Sequence, residues 1–209
     1  MSAYAPASEH PQSGNPAAPA VLKIVIAGGF GVGKTTLVKA VSEIAPLQTE
    51  EVLTQASEAT DHLGEGQTKS TTTVALDFGR ITFTHPRPMV LLLFGTPGQE
   101  RFLFTWDDLS SGAVGAVILA DTRRLSDSFT AVSYFEQRGV PFVIAVNEFD
   151  QAHRYTPEEI RQALRLSEAV PAVPVILCDA RVTPSSIDVL IALVTHAIAR
   201  HSAAQGARP

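Results

Sequence analysis

Six short apolar runs, separated by segments with helical spacing, set the rhythm of the chain. VLKIVIA (21–27) is almost continuously apolar, the pattern of a strand buried on both faces of a parallel sheet. A glycine-rich turn follows it, and from Lys34 to about Ala45 the apolar positions recur with helical period until Pro46. TTTVALDFGRITF and MVLLLFG, joined around His85-Pro86-Arg87-Pro88, predict a hairpin whose first strand has the partial alternation of an edge position. AVGAVILAD (113–121), VPFVIAVN (140–147) and VPVILCD (173–179) are three further strands, and 126–138, 157–169 and 184–200 carry helical patterns. This alternation predicts an α/β fold in three layers: a mostly parallel six-stranded sheet with one antiparallel edge strand and helices on both faces. Ligands of such folds sit at the carboxyl ends of the strands.

Two stretches fall outside the rhythm. Residues 1–20 are rich in proline and alanine and 202–209 lack an apolar run, so disordered tails are expected around one domain at 21–201. Residues 46–70 are polar and irregular, and too long to be a simple connector in a compact domain. A chain of 209 residues, 45% hydrophobic and 18% charged, suits one well-packed core. The net charge of −5, without any Lys/Arg cluster, argues against nucleic-acid binding. The lone Cys178 excludes an internal disulfide framework and fits a reducing compartment. The start has neither a basic apolar leader nor a myristoylation glycine, and the end has no prenylation cysteine. A cytoplasmic location without a direct membrane anchor is therefore expected, with any membrane recruitment made by a partner.

The turn after the first strand carries the strongest chemistry. GGFGVGKTT (28–36) fits G-x-x-x-x-G-K-T between a predicted strand and a predicted helix, the context that a phosphate-binding loop requires. Its glycines let backbone N–H groups converge on phosphate oxygens, and the helix N-terminus adds positive potential. Gly28, Gly31, Val32, Gly33, Lys34, Thr35 and Thr36 are the candidate contacts, with Lys34 on the terminal phosphates and Thr35 on Mg²⁺. The motif does not distinguish ATP from GTP.

Two later loops bear on that choice. Asn147-Glu148-Phe149-Asp150 leaves one strand and Cys178-Asp179-Ala180-Arg181 leaves the last, both on the ligand edge. Asp150 can accept from guanine N1–H and the N2 amine, donors that adenine lacks, while Asn147 braces the two loops and the Ala180 N–H serves guanine O6. Asn-x-x-Asp is also ordinary turn and capping chemistry, so both readings stand at this point.

In chain order, GGFGVGKT, TVALDF, GTPGQERF, NEFD and CDAR resemble the Ras-like small GTPases over nearly all of residues 21–200. The bacterial branch is the nearest in pattern: the conservon-encoded GTPases of actinomycetes and the related gliding-motility polarity GTPases. The resemblance implies GTP and GDP as ligands with Mg²⁺ as cofactor. It makes Thr73 the first-switch threonine that ligates Mg²⁺ and senses the γ-phosphate, Gly98 the second-switch glycine, and Gln99 the residue that orients the attacking water. The catalytic set is then Gln99, Lys34 and Thr73, and the metal ligands are Thr35 and Thr73. A roadblock-type regulatory protein is the implied partner, with a membrane-associated sensor complex behind it.

Three departures change the expectation. Glu148 replaces a lysine that lies along the base, Phe30 replaces a small residue beside the γ-phosphate, and Gly95 stands where an aspartate holds Mg²⁺ through its water shell. Weaker metal binding is expected from the last. An arginine within the chain, such as Arg80, Arg87 or Arg101, is a candidate to complete the site. Beyond Gln99, Phe102, Leu103, Phe104 and Trp106 form either a partner surface exposed in one nucleotide state or ordinary helix packing. His196 and His201 are expected to face solvent. The functional expectation is a slow GTP hydrolase used as a signalling switch; the alternatives are a nucleotide-bound interaction module that does not hydrolyse, and a P-loop ATPase or small-molecule kinase.

Overall fold

The structure is a computed structural model and describes residues 19–45, 47–53, 72–98, 102–166 and 171–206, with the backbone alone at 47–53 and 72–75. The strands are β1 (Ala20–Gly28), β2 (Leu47–Leu53), β3 (Thr72–Phe83), β4 (Met89–Gly95), β5 (Ala113–Ala120), β6 (Phe142–Asn147) and β7 (Val175–Cys178). The helices are α1 (Lys34–Val41), α2 (Phe104–Ser110), α3 (Phe129–Gln137), α4 (Pro157–Ala163) and α5 (Thr183–Gly206), with a 3₁₀ segment at Thr122–Ser128.

The described strands form one sheet in the order β2-β3-β4-β1-β5-β6-β7. The six expected strands are all present, and β3 is antiparallel to β4 as predicted. A seventh strand corrects the reading of 46–70 as wholly irregular: β2 pairs with β3 from Leu47↔Phe78 to Leu53↔Thr72. Strand β3 is therefore not the edge, because its outer hydrogen-bonding side is taken by β2. Polar positions in LQTEEVL hid the strand, as an edge strand has little apolar surface to bury.

Alternation within each central strand divides the core into two layers. Ile24 and Ile26 face α1 and α5 with Leu93, Val117, Leu119, Val189 and Leu193. Val25 and Ala27 face the other way, into a layer with Ile118, Ile144, Phe135, Phe142 and Trp106. Both faces of β6 are covered, and every residue of FVIAVN is buried. Among helix starts, α4 is the most fully specified by sequence. Thr156 and Glu159 form a capping box, and Pro157 occupies the first turn, where its missing N–H costs nothing.

Helix α5 is longer than its periodicity predicts, and residues 202–206 belong to it rather than to a tail. By length and composition it is the one described helix apolar enough to cross a membrane, yet Val189, Leu190 and Leu193 pack into the core. His196 is also buried on this face, contrary to the solvent-facing expectation, and burial lowers its pKa; His201 is exposed. A helical position three residues from Leu193 falls on the same buried stripe whatever its polarity.

Candidate functional site

The strand order places the end of β1 between β4 and β5, where the chain's crossovers change direction, and the phosphate loop emerges there. Gly33 immediately precedes α1 with a φ of 106° and would drive a Cβ to within 2.6 Å of Asn147 Nδ2. Only glycine meets both constraints. Asn147 uses this proximity: its Nδ2 donates to Val32 O at 3.0 Å, and its Oδ1 accepts from Ala180 N at 3.0 Å. One buried amide thus ties the phosphate loop to the loop after β7. The Ala180 N–H expected to serve guanine O6 is instead donated to Asn147, because the brace brings the two groups together. Replacing Asn147 by alanine leaves a buried carbonyl and a buried N–H without partners, so unfolding in urea should show a loss of about 2–4 kcal/mol.

A cleft of about 300 Å³ opens over this loop, lined by Phe30, Gly31, Gly33, Lys34, Thr35, Thr36, Asp77, Thr96, Pro97 and Gly98. Lys34 lies within it, Nζ donating to Gly28 O at 2.8 Å and Gly29 O at 2.7 Å. Gly98 sits against this ammonium: a Cβ there would fall 2.6 Å from Nζ. Burial lowers the Lys34 pKa to about 8, with the charge of Asp77 acting in the opposite direction.

Asp77 is the residue that sequence reasoning missed. It stands opposite Gly95 in the β3–β4 register, and its Oδ2 accepts from Thr35 Oγ1 at 2.6 Å. A Cβ at residue 95 would come within 2.9 Å of Asp77 Cβ and 3.1 Å of its Oδ2. The carboxylate that appeared to be lost at Gly95 therefore has a counterpart in the cleft, carried by the neighbouring strand. Thr96 Oγ1, buried beside it, has no hydrogen-bond partner among the described residues. A carboxylate, a hydroxyl and an orphaned hydroxyl are hard oxygen donors, and they fit Mg²⁺ with its water shell. Asp77 thereby joins Thr35, one of the two expected metal ligands, among the oxygen donors that line the cleft. The signal was in the sequence as the Asp of TVALDF, but its value depended on register.

Some of the expected residues lie outside the described residues, and others have partners elsewhere. Thr73 pairs through its backbone with Val52, and its side chain lies outside what is described. Gln99 and Arg101 lie outside the described residues. Arg80 is committed to Glu43 at 2.7 Å. The arginine at the phosphate loop is Arg124, whose Nη2 donates to Phe30 O at 2.9 Å. It approaches from the 3₁₀ segment, where Asp121 caps the turn and is held below the usual carboxylate range by Arg123. Asp121 thus serves the turn itself, accepting from Arg123 N and pairing with the Arg123 guanidinium. Phe30 itself is 67% exposed. The aromatic run after Gln99 divides: Phe102 and Trp106 are buried, while Phe104 is 62% exposed.

At the far end, Glu148 pairs with Arg154 at 3.2 Å. Asp150 faces Arg181 across the two loops, and hydrogen bonds from that guanidinium hold its carboxyl below the usual range.

This sheet, loop and cleft define a nucleotide-binding P-loop NTPase. The family model described as "Conserved hypothetical ATP binding protein" matches residues 26–200, and the chain belongs to that family. An uncharacterized protein of Methanocaldococcus jannaschii is 27% identical over 131 residues, which cover 62% of this chain and 71% of that protein. Translation initiation factor IF-2 of Roseiflexus sp. is 28% identical over 160 residues, 76% of this chain but 18% of the factor's length. The G domain of the T. maritima FeoB iron transporter shares the fold with a TM-score of 0.57 at 18% identity, covering 85% of this chain and 99% of that domain.

Proposed function

We propose that this P-loop NTPase is a guanine-nucleotide switch that binds GTP and GDP with Mg²⁺ and hydrolyses GTP slowly. The observation that carries the reading is the Asn147 brace, which fixes the Asp150 and Asp179-Ala180-Arg181 loops relative to the phosphate loop. A base whose phosphates occupy that loop then meets a carboxylate, the acceptor that guanine requires.

Lys34 neutralises the terminal phosphates, and the backbone from Gly28 to Thr36 orients them. Thr35 and Asp77 would hold Mg²⁺, whose contribution when bound would be neutralisation of charge on the terminal phosphates. Gln99 orients water and Thr73 senses the γ-phosphate, roles taken from the resemblance. Unassisted turnover in such sites is about 10⁻⁴ s⁻¹, and an activator raises it by up to about 10⁵. A roadblock-type regulatory protein fits this need, and the exposed Phe104 between buried Phe102 and Trp106 offers it an anchor. The protein then works in the cytoplasm and reaches the membrane through that partner.

The description of the matched family names ATP, which makes an ATPase the second reading. Titrations with GDP, GTP and ATP, with and without Mg²⁺, decide: displacement of bound GDP by GTP but not by equal ATP is expected, and equal displacement overturns the guanine reading. Single-turnover hydrolysis tests the catalytic half, since equal rates for native protein and Gln99→Ala would leave a binding module.

Lys34 gives a pH dependence with a definite sign. Polyphosphate favours the charged ammonium, whose free-protein pKa is about 8, so binding takes up a proton above that pH. Affinity is expected to be flat below pH 8 and to fall by up to about tenfold per pH unit above it, measurable as Kd at pH 7, 8 and 9. The unfolded chain keeps this proton up to the ordinary value of 10.5, so the same shift makes the free protein's stability rise with pH from about 8 to 10.5.

A further inference from the structure

Arg181 meets Asp150 in a way that imitates a base. Its Nη1 donates to Asp150 Oδ2 at 2.9 Å and its Nη2 to Oδ1 at 3.2 Å, so two N–H groups of one planar cation engage both carboxylate oxygens. Guanine presents the same chemistry on its Watson–Crick edge, where N1–H and the N2 amine flank C2 as two arms of a guanidine unit. Asp150 cannot accept both forks in the same plane.

We propose that Arg181 is an internal competitor for the guanine edge, which a guanine nucleotide must displace from Asp150 before its base is read. The proposal rests on the guanine reading of Asp150 and adds the gate in front of it. The displaced cation keeps a second anchor. Asp179 Oδ1 accepts from Arg181 Nε at 2.9 Å, and Asp179 Oδ2 accepts from Nη2 at 2.8 Å. The backbone N–H of Arg181 also donates to Asp179 Oδ1 at 2.9 Å, which fixes the root of the side chain. Release from Asp150 therefore costs one fork and leaves the other. The remaining nearby acid, Glu148, is already paired with Arg154.

The size of the effect follows from exposure. Arg181 and Asp150 are 58% and 80% exposed, so their fork has the strength of a surface ion pair and changes rates by about two- to fivefold. Lysine retains the charge but has no planar fork.

Stopped-flow binding of GDP with a fluorophore on the ribose tests the gate. Arg181→Lys is expected to associate about two- to fivefold faster than native protein, with affinity raised by the same factor. Arg181→Gln should gain less than Arg181→Lys at low salt, because it lacks the steering charge, and both gains should shrink at high salt, where the native fork is screened as well. Unchanged or slower association in both variants, with native preference for GTP over ATP intact, overturns the competitor and leaves the base reader standing. Native protein that takes ATP and GTP alike removes the base reader and the gate together.

Discussion

Replacing Asp150 by alanine is expected to lower affinity for guanine nucleotides by roughly 10²- to 10⁴-fold and to leave ATP binding almost unchanged. The factor is large because the loss is of recognition rather than of packing: guanine's two donors would be desolvated against nothing. Asp150 is exposed on a turn, so the variant should fold normally and the effect should appear in binding alone. Asp150→Asn sharpens the test. Its amide oxygen still accepts from N1–H, but its NH₂ opposes the N2 amine of guanine and matches the 2-carbonyl of xanthine. GTP affinity should fall while XTP affinity rises, read by competition against fluorescent GDP. Unchanged GTP binding in both variants would return Asp150 to an ordinary turn residue.

The second large effect is expected at Asp77. Asp77→Ala should weaken the Mg²⁺ dependence of nucleotide dissociation by about 10- to 100-fold in the metal concentration required, the usual consequence of losing an outer partner of a metal site. Geometry also predicts a rescue. Asp77 and Gly95 face each other across β3 and β4, and a side chain at 95 would contest the space of Asp77 Cβ at 2.9 Å. Moving the acid, as Asp77→Gly with Gly95→Asp, relieves that contest and should restore most of the Mg²⁺ response. Gly95→Asp alone crowds two carboxylates together and should not. Dissociation rates across a magnesium titration measure all three variants, and an Asp77→Ala protein with native magnesium dependence would remove Asp77 from the metal side.

Much of the fold was legible because its signals are local. Continuous apolar runs marked the central strands, whose residues are buried on both faces, and glycines with Lys34 and Thr35 marked the phosphate loop. Strand β2 was not legible, since its polar residues carry no burial signal and only pairing with β3 makes it a strand. His196 was misjudged because its polarity was weighed above its place on the buried face of α5. The aromatic run after Gln99 could not be divided from sequence, as Phe102 and Phe104 differ in exposure through the direction each leaves the same turn.

The candidate site shows the same boundary. The sequence by itself determined the P-loop fold, the phosphate loop and the two loops that leave β6 and β7 on the ligand edge, because each is written in contiguous residues with restrictive backbone or donor chemistry. Only the tertiary structure decided that Asp77 shares a position with Gly95, that Arg124 reaches the Phe30 carbonyl and that Arg181 covers Asp150. Those relations join residues 18, 94 and 31 places apart. Strand register and loop approach fix them, and neither leaves a local mark in the chain.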